Sequence, residues 1–277
     1  MSATIPHLTL NDGQRLAQIG FGTWPLDDAQ AQTAVQAALA CGYRLIDTAA
    51  RYGNEAGVGR GIAASGVARS QVQLTSKLRG SEHGFDSTLR AFDATLAALG
   101  TDYLDLYLIH WPLPMRDLYV DTWRAFIRLR EEGRIRSIGV SNFQPAHIDR
   151  LLSETGVLPA VNQIELHPDF TQAALRAWHA RQGIVIECWS PLGRGEVLKD
   201  ATVARIAQKH GRSPAQILLR WHVQHGLVAI PKSQDPQRMR QNLDVFDFVL
   251  DEDDVAALAL LDGDHRQGGD PDTNDER

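Results

Sequence analysis

Short apolar segments alternate with amphipathic ones along most of the chain. The first pair forms a hairpin pattern, in which His7–Leu10 and Leu16–Ile19 flank the turn Asn11-Asp12-Gly13. The short apolar runs predict strands at Ile19–Gly22, Arg44–Asp47, Val72–Lys77, Tyr103–His110, Ile135–Ser141, Ala160–Ile164, Ile184–Cys188 and Leu227–Pro231. The amphipathic runs predict helices near Ala29–Ala40, Glu55–Ala64, Ser87–Leu99, Tyr119–Glu131, Pro145–Ser153, Thr171–Arg181, Ala201–Lys209, Ser213–Gln224, Pro236–Leu243 and Asp251–Leu261.

The alternation of strands and helices indicates a parallel sheet, since each parallel pair needs a crossover connection. No Pro-, Gly- or Ser-rich linker divides the chain before Asp262, and a single α/β barrel commonly has roughly 250 residues. We therefore predict one α/β domain over residues 1–262, a (β/α)8 barrel with an N-terminal β-hairpin and short extra C-terminal helices. Residues 263–277 are polar, acidic and Gly-rich, which predicts a mobile tail.

Composition narrows the classes of partner. The formal net charge of −6 argues against nucleic acid or an anionic membrane as the main ligand. No window approaches the roughly 20 apolar residues of a membrane span, and the first ten residues lack the basic region of a signal peptide, so we expect a cytoplasmic protein. Cys41 and Cys188 lie in apolar runs and are expected to be buried free thiols. For the oligomeric state, a monomer is the default expectation.

Polar residues end several of the predicted strands. Asp47, Lys77 and His110 follow apolar runs, as does the pair Ser141-Asn142, and Tyr52 lies in the loop after Asp47. Reactive groups of a (β/α)8 barrel sit at the carboxyl ends of its strands, so these side chains are expected to share one rim.

The chemistry of this group suits proton transfer to a carbonyl oxygen. Free tyrosine has a pKa near 10, and an adjacent ammonium group would lower it, while a carboxylate would hold the lysine charged. A neutral imidazole could donate a hydrogen bond to the substrate oxygen. The histidines and cysteines show no spacing typical of metal ligands, so we expect no metal.

Three segments resemble signatures of one enzyme family. Gly42–Ala49 with Tyr52–Glu55 resembles the first signature of the aldo-keto reductases, Ile138–Phe143 the second, and Ile230–Ser233 with Arg238 and Asn242 the third. Within that family, the chain resembles bacterial 2,5-diketogluconate reductases in particular. The resemblance implies an NADPH-dependent reductase of aldehydes, ketones or dicarbonyls, with a small-molecule carbonyl substrate.

The resemblance also implies roles for individual residues. The catalytic tetrad would be Asp47, Tyr52, Lys77 and His110, with Tyr52 as the proton donor. The cofactor-binding residues would be Ser141, Asn142, Gln163, Trp189, Ser190, Leu192, Lys232, Ser233, Arg238, Gln241 and Asn242. Many members have Glu where this chain has Gln241. Trp24 and Trp111, just beyond strand ends, are expected to line the substrate pocket.

Two other functions fit parts of the pattern. An NADPH-binding sensor or regulatory subunit would share the fold and cofactor while turning over little substrate. A Schiff-base aldolase would use Lys77 as an amine, which requires that lysine to be unpaired and neutral.

Lys232 and Arg238 suit an adenosine 2′-phosphate, so NADPH is preferred, although Asp235 between them leaves NADH use open.

Overall fold

The chain begins with a small antiparallel hairpin. The computed structural model describes residues 5–276, and its first elements are β1 (His7–Thr9) and β2 (Arg15–Ala17), which pair with His7 opposite Ala17. The predicted hairpin is therefore confirmed, with slightly shorter strands.

Eight parallel strands form the rest of the β-structure. They are β3 (Phe21–Gly22), β4 (Leu45–Asp47), β5 (Gln73–Leu78), β6 (Leu104–Ile109), β7 (Ile135–Ser141), β8 (Val161–Glu165), β9 (Val185–Trp189) and β10 (Val228–Ala229). Each strand pairs with the next in chain order. A parallel bridge between Ile19 and Ala229 joins the first strand region to the last and closes the sheet. The predicted (β/α)8 barrel is thus confirmed.

Helices follow the strands on the outside of the barrel. They are α1 (Asp28–Cys41), α2 (Glu55–Ala64), α3 (Phe85–Leu99), α4 (Tyr119–Glu131), α5 (Pro145–Thr155), α6 (Ala173–Gln182), α7 (Ala201–His210), α8 (Pro214–Gln224), α9 (Pro236–Leu243) and α10 (Glu252–Ala259). Asp27, Ser213 and Asp251 cap α1, α8 and α10 with reciprocal side-chain hydrogen bonds, which define where these helices begin.

Glycines on α2 allow its neighbours to approach closely. A Cβ on Gly57 would overlap the backbone carbonyl of Asp28 in α1, and one on Gly59 would overlap the carbonyl of Leu99 at the end of α3. The run Gly57-Val58-Gly59-Arg60-Gly61 therefore serves helix packing, and it lacks the G-x-G-x-x-G spacing of a dinucleotide-binding loop.

The two ends of the barrel differ in polarity. At the hairpin end, Leu10 and Leu16 pack with Leu106, Val228 and Ile230 in an apolar cluster. These apolar side chains fill the barrel interior at the hairpin end, whereas the polar side chains described below lie at the carboxyl ends of the strands.

The cysteines and the helices bear on the remaining predictions. Both cysteines are free, and Cys188 is buried, but Cys41 is only partly buried, because it lies at the last residue of α1. No helix between residues 5 and 276 is long and apolar enough to cross a membrane. A monomeric state, a cytoplasmic location and the boundary at Asp262 stay predictions.

Candidate active site

The four residues predicted as a tetrad lie together at the open rim. Asp47 ends β4, Lys77 lies near the end of β5, and His110 directly follows β6. Tyr52 ends a short 3-10 turn, Ala50–Tyr52, that follows β4. Adjacent parallel strands thus bring side chains that are far apart in sequence to one site.

Lys77 is the centre of the hydrogen-bond network. Its Nζ donates to Asp47 Oδ1 at 2.6 Å, to Asp47 Oδ2 at 2.8 Å, and to the backbone carbonyl of Thr48 at 3.0 Å. The same Nζ lies 3.3 Å from the hydroxyl of Tyr52. Lys77 is fully buried, so these partners replace the water that its charge would otherwise require.

This environment keeps the lysine charged. Burial by itself would lower the pKa of Lys77, but the negative charge of Asp47 and its hydrogen bonds to the ammonium group outweigh this effect, and the pKa is raised. A Schiff-base amine must be neutral, so the pairing argues against the aldolase alternative.

The expected lowering of the Tyr52 pKa is wrong for this structure. Lys77 does act in the lowering direction, but burial of the phenol is the larger effect, and Asp47 adds to it, so the pKa is raised above 10. Tyr52 therefore keeps its proton at neutral pH, which is the form that a general acid requires.

His110 stands beside the tyrosine. The two ring centroids are 5.8 Å apart, with the rings edge to face. Burial lowers the pKa of His110, although the carboxylate of Glu276 opposes this effect. The imidazole is thus biased toward its neutral form.

A second cluster adjoins the tetrad at the ends of β7, β8 and β9. The indole Nε1 of Trp189 donates to Asn142 Oδ1 at 2.9 Å, and Asn142 Nδ2 donates to the backbone carbonyl of His110 at 3.0 Å. The hydroxyl of Ser141 donates to the backbone carbonyl of Gln163 at 2.8 Å. Asn142 Nδ2 also donates to Ser141 Oγ at 3.1 Å, so both of its N–H groups are used, whereas Oδ1 accepts one bond and can accept a second from a ligand.

Gln163 joins this cluster to the tetrad. Its Nε2 donates to Asp47 Oδ2 at 2.8 Å and to Glu187 Oε2 at 2.8 Å. Sequence reasoning missed Glu187, although a charged residue in the apolar run Ile184–Cys188, two positions before Trp189, was a usable signal.

The residues predicted to hold the 2′-phosphate lie on a separate part of the chain, in the segment after β10 and in the first turn of α9. Lys232 and Arg238 are exposed, and Arg238 Nε is 3.8 Å from Asp235 Oδ2. Asn242 is buried, Gln241 is exposed, and Ser233 Oγ accepts from the backbone N–H of Asp235. Ser190 and Leu192 lie in the turn after β9, where Ser190 has φ 51°.

One of the two tryptophans predicted for the substrate pocket contacts the tetrad. Trp24, 57% exposed, has its ring centroid 5.1 Å from that of Tyr52. Trp111 is partly buried directly after His110. Large apolar surface next to the phenol is available to a substrate.

The C-terminal segment crosses the rim. The backbone N–H groups of Gln267 and Gly268 donate to the carboxylate of Glu165 at 2.7 and 2.9 Å. Further along the segment, Glu276 is buried. Its carboxylate accepts a hydrogen bond from the backbone N–H of Gly80 and lies 2.8 Å from His110 Nδ1. The individual contacts of residues 263–276 were not predicted from the sequence, and the predicted mobility of the tail stays a prediction.

Comparisons with known proteins agree with this geometry. The model of the aldo/keto reductase family matches residues 18–262, so the chain belongs to that family. An aldo-keto reductase of Mycobacterium sp. (strain JLS) is 56% identical over 268 residues, covering 97% of each chain. The 2,5-diketo-D-gluconic acid reductase B of Corynebacterium sp. (strain SHS752001) is 48% identical over 273 residues, covering 98% of this chain and 99% of that one.

A solved structure gives information on the cofactor. A mutant of Gox0644 in complex with NADPH has a TM-score of 0.95 and 47% identity, covering 98% of this chain and 99% of that chain. The family uses NADP(H), which agrees with the cofactor predicted from the sequence. Between residues 5 and 276 there is no cluster of potential metal ligands.

Proposed function

We propose that this protein reduces the carbonyl group of small aldehydes, ketones or dicarbonyls to the alcohol, using NADPH, with Tyr52 as the proton donor. The observation that carries the proposal is the contact of 3.3 Å between the Tyr52 hydroxyl and Lys77 Nζ, which Asp47 holds in turn. A phenol that is neutral at pH 7 and adjacent to a fixed ammonium group can release its proton when an oxyanion needs it.

The cofactor, when bound, supplies a hydride that adds to the carbonyl carbon. The residues that would bind its nicotinamide carboxamide are Ser141, Asn142 and Gln163, and Trp189 would lie against the nicotinamide ring. The fit is supported by Gln163 Oε1, which accepts no hydrogen bond from residues 5–276, and by the partial exposure of Trp189.

The phosphate end of the cofactor has its own candidate ligands. Lys232 and Arg238 are exposed cations near the start of α9, and charge-assisted hydrogen bonds from such groups are the strong kind. Ser233, Gln241 and Asn242 complete that group, while Ser190 and Leu192 would border the middle of the dinucleotide.

The protein's own residues account for the proton. As electron density moves onto the carbonyl oxygen, the O–H bond of Tyr52 breaks and the new O–H bond of the alcohol forms. Lys77, whose ammonium stays charged, stabilises the phenolate that remains, until water returns a proton to it. The imidazole of His110, in its neutral form, can donate a hydrogen bond that orients the carbonyl.

Among substrates, dicarbonyls such as 2,5-diketogluconate are the first class to test, because a relative of 48% identity carries that name. The assay follows the loss of reduced-nicotinamide absorbance with 2,5-diketogluconate, methylglyoxal, benzaldehyde derivatives and aldoses. Tyr52→Phe should lower kcat by about 10²- to 10⁴-fold without weakening NADPH binding.

The same assay separates the alternative function. Wild-type protein that binds NADPH but consumes it with none of these compounds would favour a sensor or regulatory subunit. Full activity of Tyr52→Phe would refute the proton-donor role.

A further inference from the structure

Glu187 is a buried acid that the proposed proton transfer does not use. It lies in the middle of β9, is fully buried, and is separated by one residue from Trp189. Side chains two positions apart on a strand face the same side of the sheet, so Glu187 lies one layer below the indole, inside the barrel. Its Oε1 has no hydrogen-bond partner among residues 5–276.

The contacts of Gln163 explain what this acid can do. A primary amide has two N–H donors on nitrogen and one acceptor oxygen. In Gln163 both donors are used, one on Asp47 Oδ2 and one on Glu187 Oε2, each at 2.8 Å. The amide cannot rotate by half a turn without placing its oxygen against the Asp47 carboxylate, so only its oxygen remains for a ligand.

Charged groups around Glu187 come from other strands. Asp47 on β4 and Lys77 on β5 both face it, as does Tyr52 from the turn after β4. Burial, reinforced by the negative charge of Asp47, raises the pKa of Glu187 to about 8. The pKa values of Lys77, Tyr52 and the neighbouring Cys188 are all raised, so Glu187 is the member of this group that ionises just above neutral pH.

We propose that Glu187 is a positioning residue of the nicotinamide site. Together with Asp47 it holds the Gln163 amide so that the amide oxygen faces the cofactor. The ionisation of Glu187 favours binding of the oxidised cofactor over the reduced one. The inference rests on the proposed function, in which Gln163 binds the nicotinamide carboxamide. The nicotinamide ring carries a positive charge in NADP⁺ and none in NADPH. A negative charge that appears on Glu187 therefore strengthens the binding of NADP⁺ relative to that of NADPH.

The test measures dissociation constants for NADPH and NADP⁺, by quenching of tryptophan fluorescence, from below neutral pH to well above pH 8. Both cofactors share the 2′-phosphate and the adenine, so the ratio of their constants isolates the nicotinamide. In the wild type, Kd(NADPH)/Kd(NADP⁺) should rise on the order of tenfold across this range. In Glu187→Gln, which has nearly the same shape and no ionisation in this range, the ratio should stay constant. A ratio that rises equally in both proteins would overturn the inference.

Two further variants separate the possible failures. Glu187→Leu removes the acceptor, and should weaken the binding of both cofactors at pH 7 by about tenfold, because one N–H of Gln163 loses its partner. Unchanged affinities in this variant, with an unchanged unfolding temperature, would remove the positioning role. If Gln163→Leu binds both cofactors as the wild type does, the proposed carboxamide contact itself is wrong. If Gln163→Leu binds weakly while Glu187→Gln keeps the wild-type pH dependence, only the inference about Glu187 is wrong.

Discussion

Replacing Lys77 by Met tests how the buried charges at the rim depend on one another. The substitution keeps most of the side-chain volume but removes an ammonium group 2.6 and 2.8 Å from the oxygens of Asp47. Asp47 is 4% exposed and would then retain only the Gln163 amide as a side-chain partner. Removing one member of a buried ion pair typically costs about 3–5 kcal/mol, so thermal unfolding should occur at a clearly lower temperature.

The same substitution should nearly abolish turnover. A unit charge 3.3 Å from the Tyr52 oxygen interacts with a phenolate by about 5 kcal/mol at an effective dielectric constant of about 20. That energy corresponds to somewhat more than 10³-fold in rate, within the range of about 10²- to 10⁴-fold that positioned acids contribute. We therefore expect kcat to fall by about 10³-fold.

A double variant separates the two effects. In Asp47→Asn with Lys77→Met no unpaired charge remains buried, so most of the lost stability should return while kcat stays low. Thermal unfolding followed by circular dichroism, together with steady-state kinetics, measures both properties on the same samples. The reasoning would be refuted if Lys77→Met were as stable as the wild type at pH 7, or if the double variant regained turnover.

Three other substitutions give further tests. Arg238→Ala should raise the KM for NADPH by about 10- to 100-fold and leave the KM for NADH unchanged, because charge-assisted hydrogen bonds contribute about 1.5–3 kcal/mol. The matched control is Arg240→Ala, since Arg240 is an exposed arginine on the same helix. Glu276→Gln removes the carboxylate that raises the His110 pKa, so the acidic limb of the kcat/KM profile should move to lower pH; an unmoved limb would contradict the contact. Trp24→Ala should raise the KM for aryl aldehydes by about tenfold, because apolar contact beside Tyr52 is lost, and should change the KM for methylglyoxal little. Equal changes in the two KM values would exclude stacking of the substrate on Trp24.

The strands and the tetrad could be predicted because both follow from local patterns. Each barrel strand contains buried apolar residues, and Asp47, Lys77 and His110 are polar residues at or near the ends of such segments. Once the sheet is parallel and closed, the ends of its strands must share a rim. The boundaries of Tyr119–Glu131 and Ile135–Ser141 coincide with the prediction, since Gly133 separates two strong patterns.

Other features depend on tertiary surroundings that no local pattern carries. The direction of the Tyr52 pKa shift was mispredicted because a charge neighbour can be inferred from motifs, whereas the extent of desolvation depends on how the finished site packs. The last strand has only Val228–Ala229 in place of Leu227–Pro231, and Pro231, which has no N–H for the ladder, cannot extend it. The contact of Glu276 with Gly80 joins residues 196 positions apart, and no spacing rule reaches that far.

The position of Glu276 offers a measure of how often the mouth of the barrel opens. An exopeptidase digesting from the carboxyl terminus can pass this residue only after its carboxylate has left His110 and Gly80. The rate of trimming past Glu276 would then report the opening frequency with no substrate present. A ligand that seats beneath the segment would slow the digestion, so the chain end itself becomes a label-free probe of occupancy.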